Sequence, residues 1–443
     1  MRKVNVHTII DHARISGFHW MVMGWCFLLL IFDGYDLFIY GAVLPVLMQQ
    51  WGLSPLEAGA LGSYALFGMM LGAVGFGTLA DQIGRKKGIA VCCLLFSCAT
   101  LANGFVSNPT EFGICRFFAG LGCGGLMPNV VALMNEYAPK KFRTAIVSIM
   151  FCGYPLGGVL SASVGIFVLP RFGWEAMFFA AAVPLILLPL IYWQLPESVG
   201  FLLRQRRLEK AHAVLLRVDP GCNLQKDDSL IMGESNARPA SLLELFREGR
   251  ALPTLVLWLA FFCCMLMIYA LSSWLPKLMA SAGYSLGSSL SFLVALNAGA
   301  VLGAVFGGWL GDRINLPKVL VAFLILAALS VSLLGLKSPV PVLYLLITVA
   351  GATTIGTQIL LYACAAQFYG LSIRSTGMGW ASGVGRSGGI VGPLLGGALV
   401  GINLPLQLNF IAFALPGLIA ALAMVLFALL KRSKVTTLAA AGV

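Results

Sequence analysis

The chain has 443 residues, of which 59% are hydrophobic and 10% are charged, and its mean hydropathy is +0.91. A soluble globular protein cannot bury so large an apolar fraction, so the composition excludes the soluble classes and indicates an integral membrane protein. The net charge of +12 would suggest nucleic-acid binding in a soluble protein, but here its placement along the chain offers another explanation.

Twelve segments are long and apolar enough to cross a bilayer core of about 30 Å as helices, which takes about 20 residues each. In chain order, the predicted spans 1 to 12 cover residues 20–47, 57–80, 88–106, 111–135, 143–169, 174–194, 251–280, 286–311, 318–336, 341–368, 374–400 and 405–430. Span 1 is too long for a cleavable signal peptide and lacks a small-residue cleavage site after it, so we expect it to remain in the protein.

The basic residues follow one side of this arrangement. If both termini are cytoplasmic, all but five of the 29 Lys and Arg residues fall in cytoplasmic loops or helix ends. The exceptions are Arg171, Lys277 and Lys337 in outside loops, and Arg116 and Arg386 within spans. The positive-inside rule therefore predicts cytoplasmic termini. The basic clusters then need only membrane lipids as partners, and no nucleic acid.

The chain is predicted to have two halves joined by a linker. A polar stretch at residues 195–250 follows span 6, and we interpret it as cytoplasmic, with a short amphipathic helix around "SLLELFREG". It would separate an N-terminal six-helix bundle, residues 1–194, from a C-terminal six-helix bundle, residues 251–443.

The halves also share an internal repeat. "GTLADQIGRKK" at 77–87 returns in weaker form as "GWLGDRINLPK" at 308–318, an offset of 231 residues between Asp81 and Asp312. The same offset also carries two further landmarks onto counterparts, Arg143 onto Arg374 and Gly157-Gly158 onto Gly388-Gly389. One spacing that aligns three landmarks predicts two structural repeats, as in transporters whose site lies between the halves.

"GTLADQIGRKK" between spans 2 and 3 resembles the loop signature of the major facilitator superfamily, and the resemblance covers essentially the whole chain. "RFFAGLGCGG" in span 4 resembles its Arg-x-x-x-Gly-x-Gly element, and "LPESVGFLL" after span 6 resembles the Pro-Glu-Ser stretch of its sugar and metabolite porters. "DGYD" in span 1, with "GLGCGGLMPN" and "NEYAPKKFR", resembles the aromatic acid:proton symporter family within it.

The resemblance implies an all-α integral membrane fold of twelve transmembrane helices in two pseudo-symmetric six-helix bundles. It also implies symport of a small aromatic carboxylate, of the benzoate or hydroxybenzoate class, with protons across the bacterial cytoplasmic membrane. We expect the protein to act as a monomer.

Four ionisable side chains lie deep in the predicted spans: Asp33, Asp36, Arg116 and Arg386. A charge at a helix centre costs at least ~2.5 kcal/mol unless it is paired or hydrated, so these residues are predicted to be functional. Asp33 and Asp36 are three residues apart on one helix face, and two such close carboxylates are expected to bind protons as a coupled pair. The alternative is that one aspartate pairs with an arginine or caps a break at Gly34.

The two arginines differ in depth. Arg386 lies about twelve residues into span 11, near the midplane at a rise of about 1.5 Å per residue, and its repeat counterpart is Pro155. Its guanidinium offers a bidentate fork to a substrate carboxylate. Arg116 lies about five residues from the outer face. We interpret it as a gate or a proton-relay partner of span 1, and the alternative is structural support of span 4.

Neutral side chains must hold the ring of an aromatic acid. Tyr40, Tyr269, Tyr362 and Trp380 are candidates by position, as is Trp274. Each taken alone is equally consistent with core packing or with the aromatic belt at the membrane interface.

Four charged residues lie at cytoplasmic helix ends: Asp81, Arg85, Glu136 and Arg143. The resemblance implies a gating role, in which Asp81 and Arg85 with Glu136 form a charge network that latches the two halves in the outward-facing state. The alternative is plain surface charge that orients the protein.

Other chemistry is not predicted. All four histidines lie near or beyond the cytoplasmic surface, which removes an intramembrane histidine relay and a metal site. The glycine-rich runs follow no strand and lack Gly-Lys-Ser/Thr, so no phosphate loop or cofactor is expected. The cysteines are interpreted as small packing residues.

Several functions remain open beside aromatic acid symport. A proton-coupled carrier of another organic acid and a drug:proton antiporter are the alternatives among transporters, and a receptor or a membrane enzyme is the alternative from another class. Against an enzyme, no nucleophile, histidine base and acid converge within the spans, so no catalytic residues are assigned.

Overall fold

The structure is a computed structural model. It describes residues 3–222, 224, 228–231, 242–247, 249–336, 338–370 and 373–440, and most of them are helical. The helices that contain spans 1 to 4 are Gly17–Trp51, Pro55–Ile83, Arg85–Asn103 and Pro109–Tyr137. Spans 5 and 6 each consist of two consecutive helices: Arg143–Phe151 with Gly153–Phe172, and Glu175–Phe179 with Ala182–Gln194. The helices of spans 7 to 12 are Ala251–Ser281, Leu286–Arg313, Leu316–Leu333, Val340–Phe368, Arg374–Gly401 and Leu406–Ala440.

Within the described part of the chain, eleven spans are long and apolar enough to cross a membrane. The twelfth predicted span is the 28-residue helix Arg374–Gly401, which is long enough to cross. Its many glycines and Arg386 lower its mean hydropathy below that of the others. The predicted all-α fold of twelve transmembrane helices is confirmed.

Short elements precede span 1 and follow span 6. Strand β1, Lys3–Asn5, pairs in parallel with strand β2, Ser229–Ile231, and Val6–His12 is a helix. Two helices follow span 6, Val199–Arg204 and Leu208–Val218. The predicted amphipathic helix near the end of the linker is a 3₁₀ helix, Leu242–Leu245. Residues 223, 225–227, 232–241 and 248 of the linker lie outside the described residues, as does Lys337.

The internal repeat appears as equivalent close contacts between backbones. A Cβ atom at Gly157 of span 5 would overlap the carbonyl oxygen of Ile31 in span 1, and one at Gly388 of span 11 would overlap that of Phe262 in span 7. Both members of the second pair lie 231 residues after those of the first. The same offset relates Gly68–Phe117 to Gly299–Thr348 and Gly72–Leu121 to Gly303–Ala352. Absence of a side chain at these glycines lets the paired helices approach closely in both repeats, as the pseudo-symmetric prediction requires.

By packing, the chain divides into two compact units. Unit 1 consists of Met1–Leu37, Gly68–Gly157 and Phe178–Asn236, and unit 2 consists of Phe38–Phe67, Gly158–Met177 and Ala237–Val443. Spans 1, 2, 5 and 6 each run from one unit into the other. This division does not follow the predicted boundaries at residues 194 and 251, which stay a prediction.

Candidate functional site

The acidic pair of span 1 lies in the interior of unit 1. Asp33 and Asp36 are 0% and 2% exposed, and Arg116 of span 4 is 1% exposed. The Nη1 atom of Arg116 lies 3.1 and 3.2 Å from the two carboxylate oxygens of Asp36, and it donates to the Asp36 carbonyl at 3.0 Å. The Asp36 carboxylate and the Arg116 guanidinium neutralise each other in a region without water. Loss of either group would therefore leave the other as a buried, unpaired charge.

Two further side chains complete the surroundings of these carboxylates. The hydroxyl of Thr100 in span 3 donates to Asp36 Oδ1. The Sγ atom of Cys123 in span 4 lies 3.8 Å from Asp36 Oδ2, and its thiol is also within hydrogen-bonding reach of Asp33. We call Asp33, Asp36, Thr100, Arg116 and Cys123 the acidic cluster. It brings together the three residues predicted to couple protons.

Arg386 has a different environment in unit 2. It is half-buried in span 11, and within the described part of the chain it has neither a hydrogen-bond acceptor nor an ion-pair partner. A guanidinium in this condition keeps its charge and its donors available. It can therefore accept the carboxylate of a ligand in bidentate geometry.

Two predicted tyrosines contact the same face of span 11 as Arg386. Ser382 precedes Arg386 by four residues and Gly389 follows it by three, so the three positions share one helix face. The hydroxyl of Tyr362 lies 2.9 Å from Ser382 Oγ, and the ring of Tyr269 packs against Gly389. Both tyrosines are half-buried. The two tyrosines thus contact span 11 about one helical turn, or about 5.4 Å along the axis, on either side of position 386.

Tyr40 lies close to a contact between span 2 of the N-terminal half and span 11 of the C-terminal half. The contacting parts of both spans belong to unit 2. Its hydroxyl donates to the carbonyl of Ala58, and its ring borders Gly62. One turn before Gly62 in span 2, Gly59 packs against the carbonyl of Pro393 in span 11. We call the contact of span 2 with span 11 the seam.

One hydrogen bond belongs to the seam, and a second one, from span 7, reaches the same part of span 11. Ser63 Oγ donates to the carbonyl of Ile390 at 2.7 Å, and Trp274 Nε1 donates to the carbonyl of Pro393 at 2.9 Å. Ile390 and Pro393 follow Arg386 by four and seven residues, so the seam begins one turn along span 11 from the guanidinium.

Trp380 is not brought to this face. It precedes Arg386 by six residues, which rotates it by about 240° around the helix at 3.6 residues per turn. Its ring stacks on that of Trp258 with 6.0 Å between centroids, and it is 46% exposed.

Three of the predicted gating residues meet at Arg85 in unit 1. Its Nη2 atom lies 2.6 Å from Asp81 Oδ1, its Nε atom lies 3.8 Å from Glu136 Oε1, and its Nη1 atom donates to Asn129 Oδ1 at 2.9 Å. Arg143 has another partner, Asp11 of the N-terminal helix, at 2.6 Å. The charge network expected from the resemblance is therefore assembled around Arg85, with Arg143 outside it.

Sequence reasoning missed several partners of these residues. Cys123 follows Arg116 by seven residues, which places both on one face of span 4. This spacing could have identified Cys123 as a neighbour of the acidic pair. Glu197 lies within the quoted "LPESVGFLL", and its carboxylate accepts the backbone N–H groups of Lys86 and Ser198 at 3.2 and 3.0 Å. Thr100 gave no signal, since no pattern in the sequence links span 3 to span 1.

The sequence profile of the Major Facilitator Superfamily matches residues 26–305 and 288–442. The chain belongs to this superfamily. The resemblance noted from the sequence is therefore confirmed, as is the prediction of a multi-pass membrane transporter and not an enzyme. A benzoate transport protein of Acinetobacter baylyi is 45% identical over 94% of this chain and 91% of its own length.

Two further proteins extend the comparison. A 4-hydroxybenzoate transporter of Pseudomonas aeruginosa is 32% identical over 98% of each chain. Among solved structures, a partially occluded inward-open xylose transporter of E. coli aligns with a TM-score of 0.73 at 17% identity, over 92% of this chain and 97% of its own. At that identity it supports the fold alone.

Proposed function

We propose that the protein is a proton-coupled symporter that imports an aromatic carboxylate of the benzoate or hydroxybenzoate class by alternating access. The observation that carries this proposal is the contrast between a buried acidic cluster and the Arg386 guanidinium, which has no acceptor among the described residues. Relatives named for benzoate and 4-hydroxybenzoate transport, aligned over nearly the whole chain, support the substrate class.

In the proposed cycle, protons load the Asp33/Asp36 pair from outside. The substrate carboxylate then binds Arg386, with its ring beside Tyr269 and Tyr362. Neutralising both charges lowers the free-energy cost of closing the cavity against water, so the loaded carrier switches from the outward-facing to the inward-facing state. A proton on Asp36 removes the negative half of its pair with Arg116, which gives the cluster two states.

The seam has a place in this cycle. With both termini in the cytoplasm, the start of span 2 and the end of span 11 lie on the outer side. Contacts of Ser63 with Ile390 and of Gly59 with Pro393 would then close the route from outside to Arg386. We propose that these contacts open when the carrier faces outward, while the network at Arg85 is the corresponding latch on the cytoplasmic side.

The location follows from the distribution of charge. We place the protein in the bacterial cytoplasmic membrane as a monomer, with residues 1–194 and 251–443 as its bundles and residues 195–250 as a cytoplasmic linker. The excess of Lys and Arg on one side of the spans supports this orientation.

The test is uptake of labelled benzoate and 4-hydroxybenzoate into proteoliposomes under an imposed gradient, acidic outside. Asp33→Asn and Asp36→Asn should each abolish gradient-driven uptake. Glu209→Gln removes an exposed carboxylate from the helix Leu208–Val218 and should leave uptake unchanged. Normal gradient-driven uptake by both aspartate variants would refute the proposed coupling, and substrate extrusion against proton entry would indicate an antiporter.

A further inference from the structure

A basic pocket lies in unit 1 beside the end of span 6. Its volume is about 340 Å³, and it is bounded by the start of span 3, the end of span 6 and the two short helices that follow. Five of its lining side chains are cationic: Lys86, Lys87, Arg207, Lys210 and Arg217. No described carboxylate lies within 4.0 Å of any of these five cations.

One carboxylate lines the basic pocket, but it is already engaged. Glu197 accepts the backbone N–H groups of Lys86 and Ser198. Lys86 places its Nζ atom 4.7 Å from the ring centroid of Tyr192, and its charge is attracted by Glu197 and repelled by Arg217 and Lys210. The pocket therefore holds five cations against one carboxylate, and an anion would relieve the repulsion among the cations.

The helix Leu208–Val218 directs its cationic side chains into the basic pocket. Lys210, Val214 and Arg217 follow one another at spacings of four and three, and all three line the basic pocket. Ala211, Leu215 and Val218 form a second stripe that is buried. Burial of the apolar stripe fixes which side of the helix faces the pocket.

An exposed apolar stripe leads from the basic pocket along span 6. Val183, Ile186, Leu190 and Trp193 share one face of the helix Ala182–Gln194. They are 47%, 76%, 41% and 78% exposed, and Trp193 is also part of the pocket lining. In a membrane span such a face meets lipid, and a tryptophan at its end is typical of the headgroup level.

We infer that the basic pocket binds the phosphate headgroup of an anionic phospholipid, whose acyl chains lie along the stripe of span 6. The pocket supplies the cations, and the stripe supplies an apolar track that ends at its rim. A soluble phosphate compound would use the cations alone and would leave the stripe without a role. The lining of the site shares no residue with the proposed transport cycle, although Lys86 directly follows Arg85 of the cytoplasmic network.

The experiment measures lipid binding to the purified full-length protein by native mass spectrometry, with phosphatidylglycerol and phosphatidylcholine as probes. The wild-type protein should retain phosphatidylglycerol in preference to phosphatidylcholine. Lys86→Gln/Lys210→Gln should weaken that binding about 30-fold, because each lysine near a lipid headgroup contributes about fivefold. Lys140→Gln/Lys141→Gln removes the same charge from an exposed cluster outside the pocket and should weaken binding much less, because solvent and salt screen charges that no pocket encloses.

The outcomes are distinguishable, and none requires transport. Equal losses in the two double variants, or no preference of wild type over phosphatidylcholine, would overturn the inference. Glycerophosphoglycerol, the headgroup without acyl chains, should compete far more weakly than the whole lipid, and equal competition would mean a soluble-phosphate site instead. Should the pocket variant fail to fold, Lys210→Gln alone, on an exposed position, should still weaken binding about fivefold.

Discussion

Span 1 and span 7 occupy equivalent places in the two repeats, since Gly157 and Gly388 pack against equivalent carbonyls of these helices. The chemistry at these places differs. The counterpart of Asp33 is Cys264, whose thiol lies 3.6 Å from the carbonyl of Thr354. Thr354 is in turn the counterpart of Cys123. The contact between Asp33 and Cys123 in the first repeat is therefore matched by one between Cys264 and Thr354, which involves no carboxylate.

The remaining charges show the same division. Asp36 and Arg116 correspond to Met267 and Ile347, which cannot form an ion pair. Arg386 corresponds to Pro155 in the first repeat. Helix packing is thus shared by both repeats, whereas each deeply placed charge belongs to one of them. The two repeats can therefore serve different roles on the same backbone. We propose that the first repeat couples protons and that the second binds the anion.

The largest expected effect is that of Asp36→Asn. The asparagine leaves Arg116 buried without its counter-charge, and such a loss costs about 3–5 kcal/mol in the free energy of unfolding. Thermal unfolding of the purified protein should show a markedly lower midpoint, and uptake should be lost as well.

A double variant separates stability from coupling. Asp36→Asn/Arg116→Gln removes both charges, as the second repeat does, and should recover most of the stability without recovering uptake. An Asp36→Asn protein as stable as wild type would show that the pair does not compensate a buried charge.

Next in size is the effect of Arg386→Lys on substrate binding. Lysine keeps the charge but loses the planar fork, and loss of a charge-assisted hydrogen bond worth about 1.5–3 kcal/mol should raise KM about tenfold or more. Stability should not change, because the guanidinium has no acceptor within the described residues.

Arg313→Lys is the matched control for this substitution, since Arg313 is an exposed arginine that packs over Trp309. Its KM should equal that of wild type. If Arg386→Lys kept a normal KM, or unfolded as readily as Asp36→Asn, the assigned contrast between the repeats would fail.

A smaller effect is expected for Thr100→Val. The counterpart of Thr100 in the second repeat is Val331, so valine suits an equivalent place between the helices. The hydroxyl donor to Asp36 would be lost, at a cost of about 1–3 kcal/mol in stability. Thr100→Ser keeps the donor and should stay close to wild type in thermal unfolding. A Thr100→Val protein with unchanged stability would show that the hydroxyl does not support the carboxylate.

The smallest effect concerns Glu197, a carboxylate that forms no ion pair with an arginine among the described residues. Burial raises the pKa of Glu197, while the backbone N–H groups of Lys86 and Ser198 oppose the shift. A carboxyl whose pKa is higher in the folded state loses stabilisation as pH rises from its unfolded pKa through its folded pKa.

Glu197→Gln should therefore gain stability relative to wild type between pH 4 and pH 7, as followed by thermal unfolding. A relative loss over that interval would contradict the sign of the shift.

Hydropathy and the repeat were sufficient to predict the twelve helices, because a membrane span has a strong signal along a single segment. The intramembrane charges were equally visible, because charges are rare in such segments. Partner choice was visible only in part. Arg116 was expected to be a partner of span 1, but its choice of Asp36 and the contact of Thr100 with that carboxylate depend on the packing of three helices, which the local sequence does not record. Trp380 was selected by position alone, and its place on another face of span 11 follows from helical rotation.

The most direct test of the central claim is the movement of protons caused by substrate itself. Proteoliposomes that contain a pH-sensitive dye, with no imposed gradient, receive external 4-hydroxybenzoate, and protein-free liposomes correct for passive entry of the neutral acid. The account predicts internal acidification with wild type that is absent with Asp33→Asn and with Arg386→Gln. Uptake of labelled substrate by wild type without this acidification, or with internal alkalinisation, would contradict it.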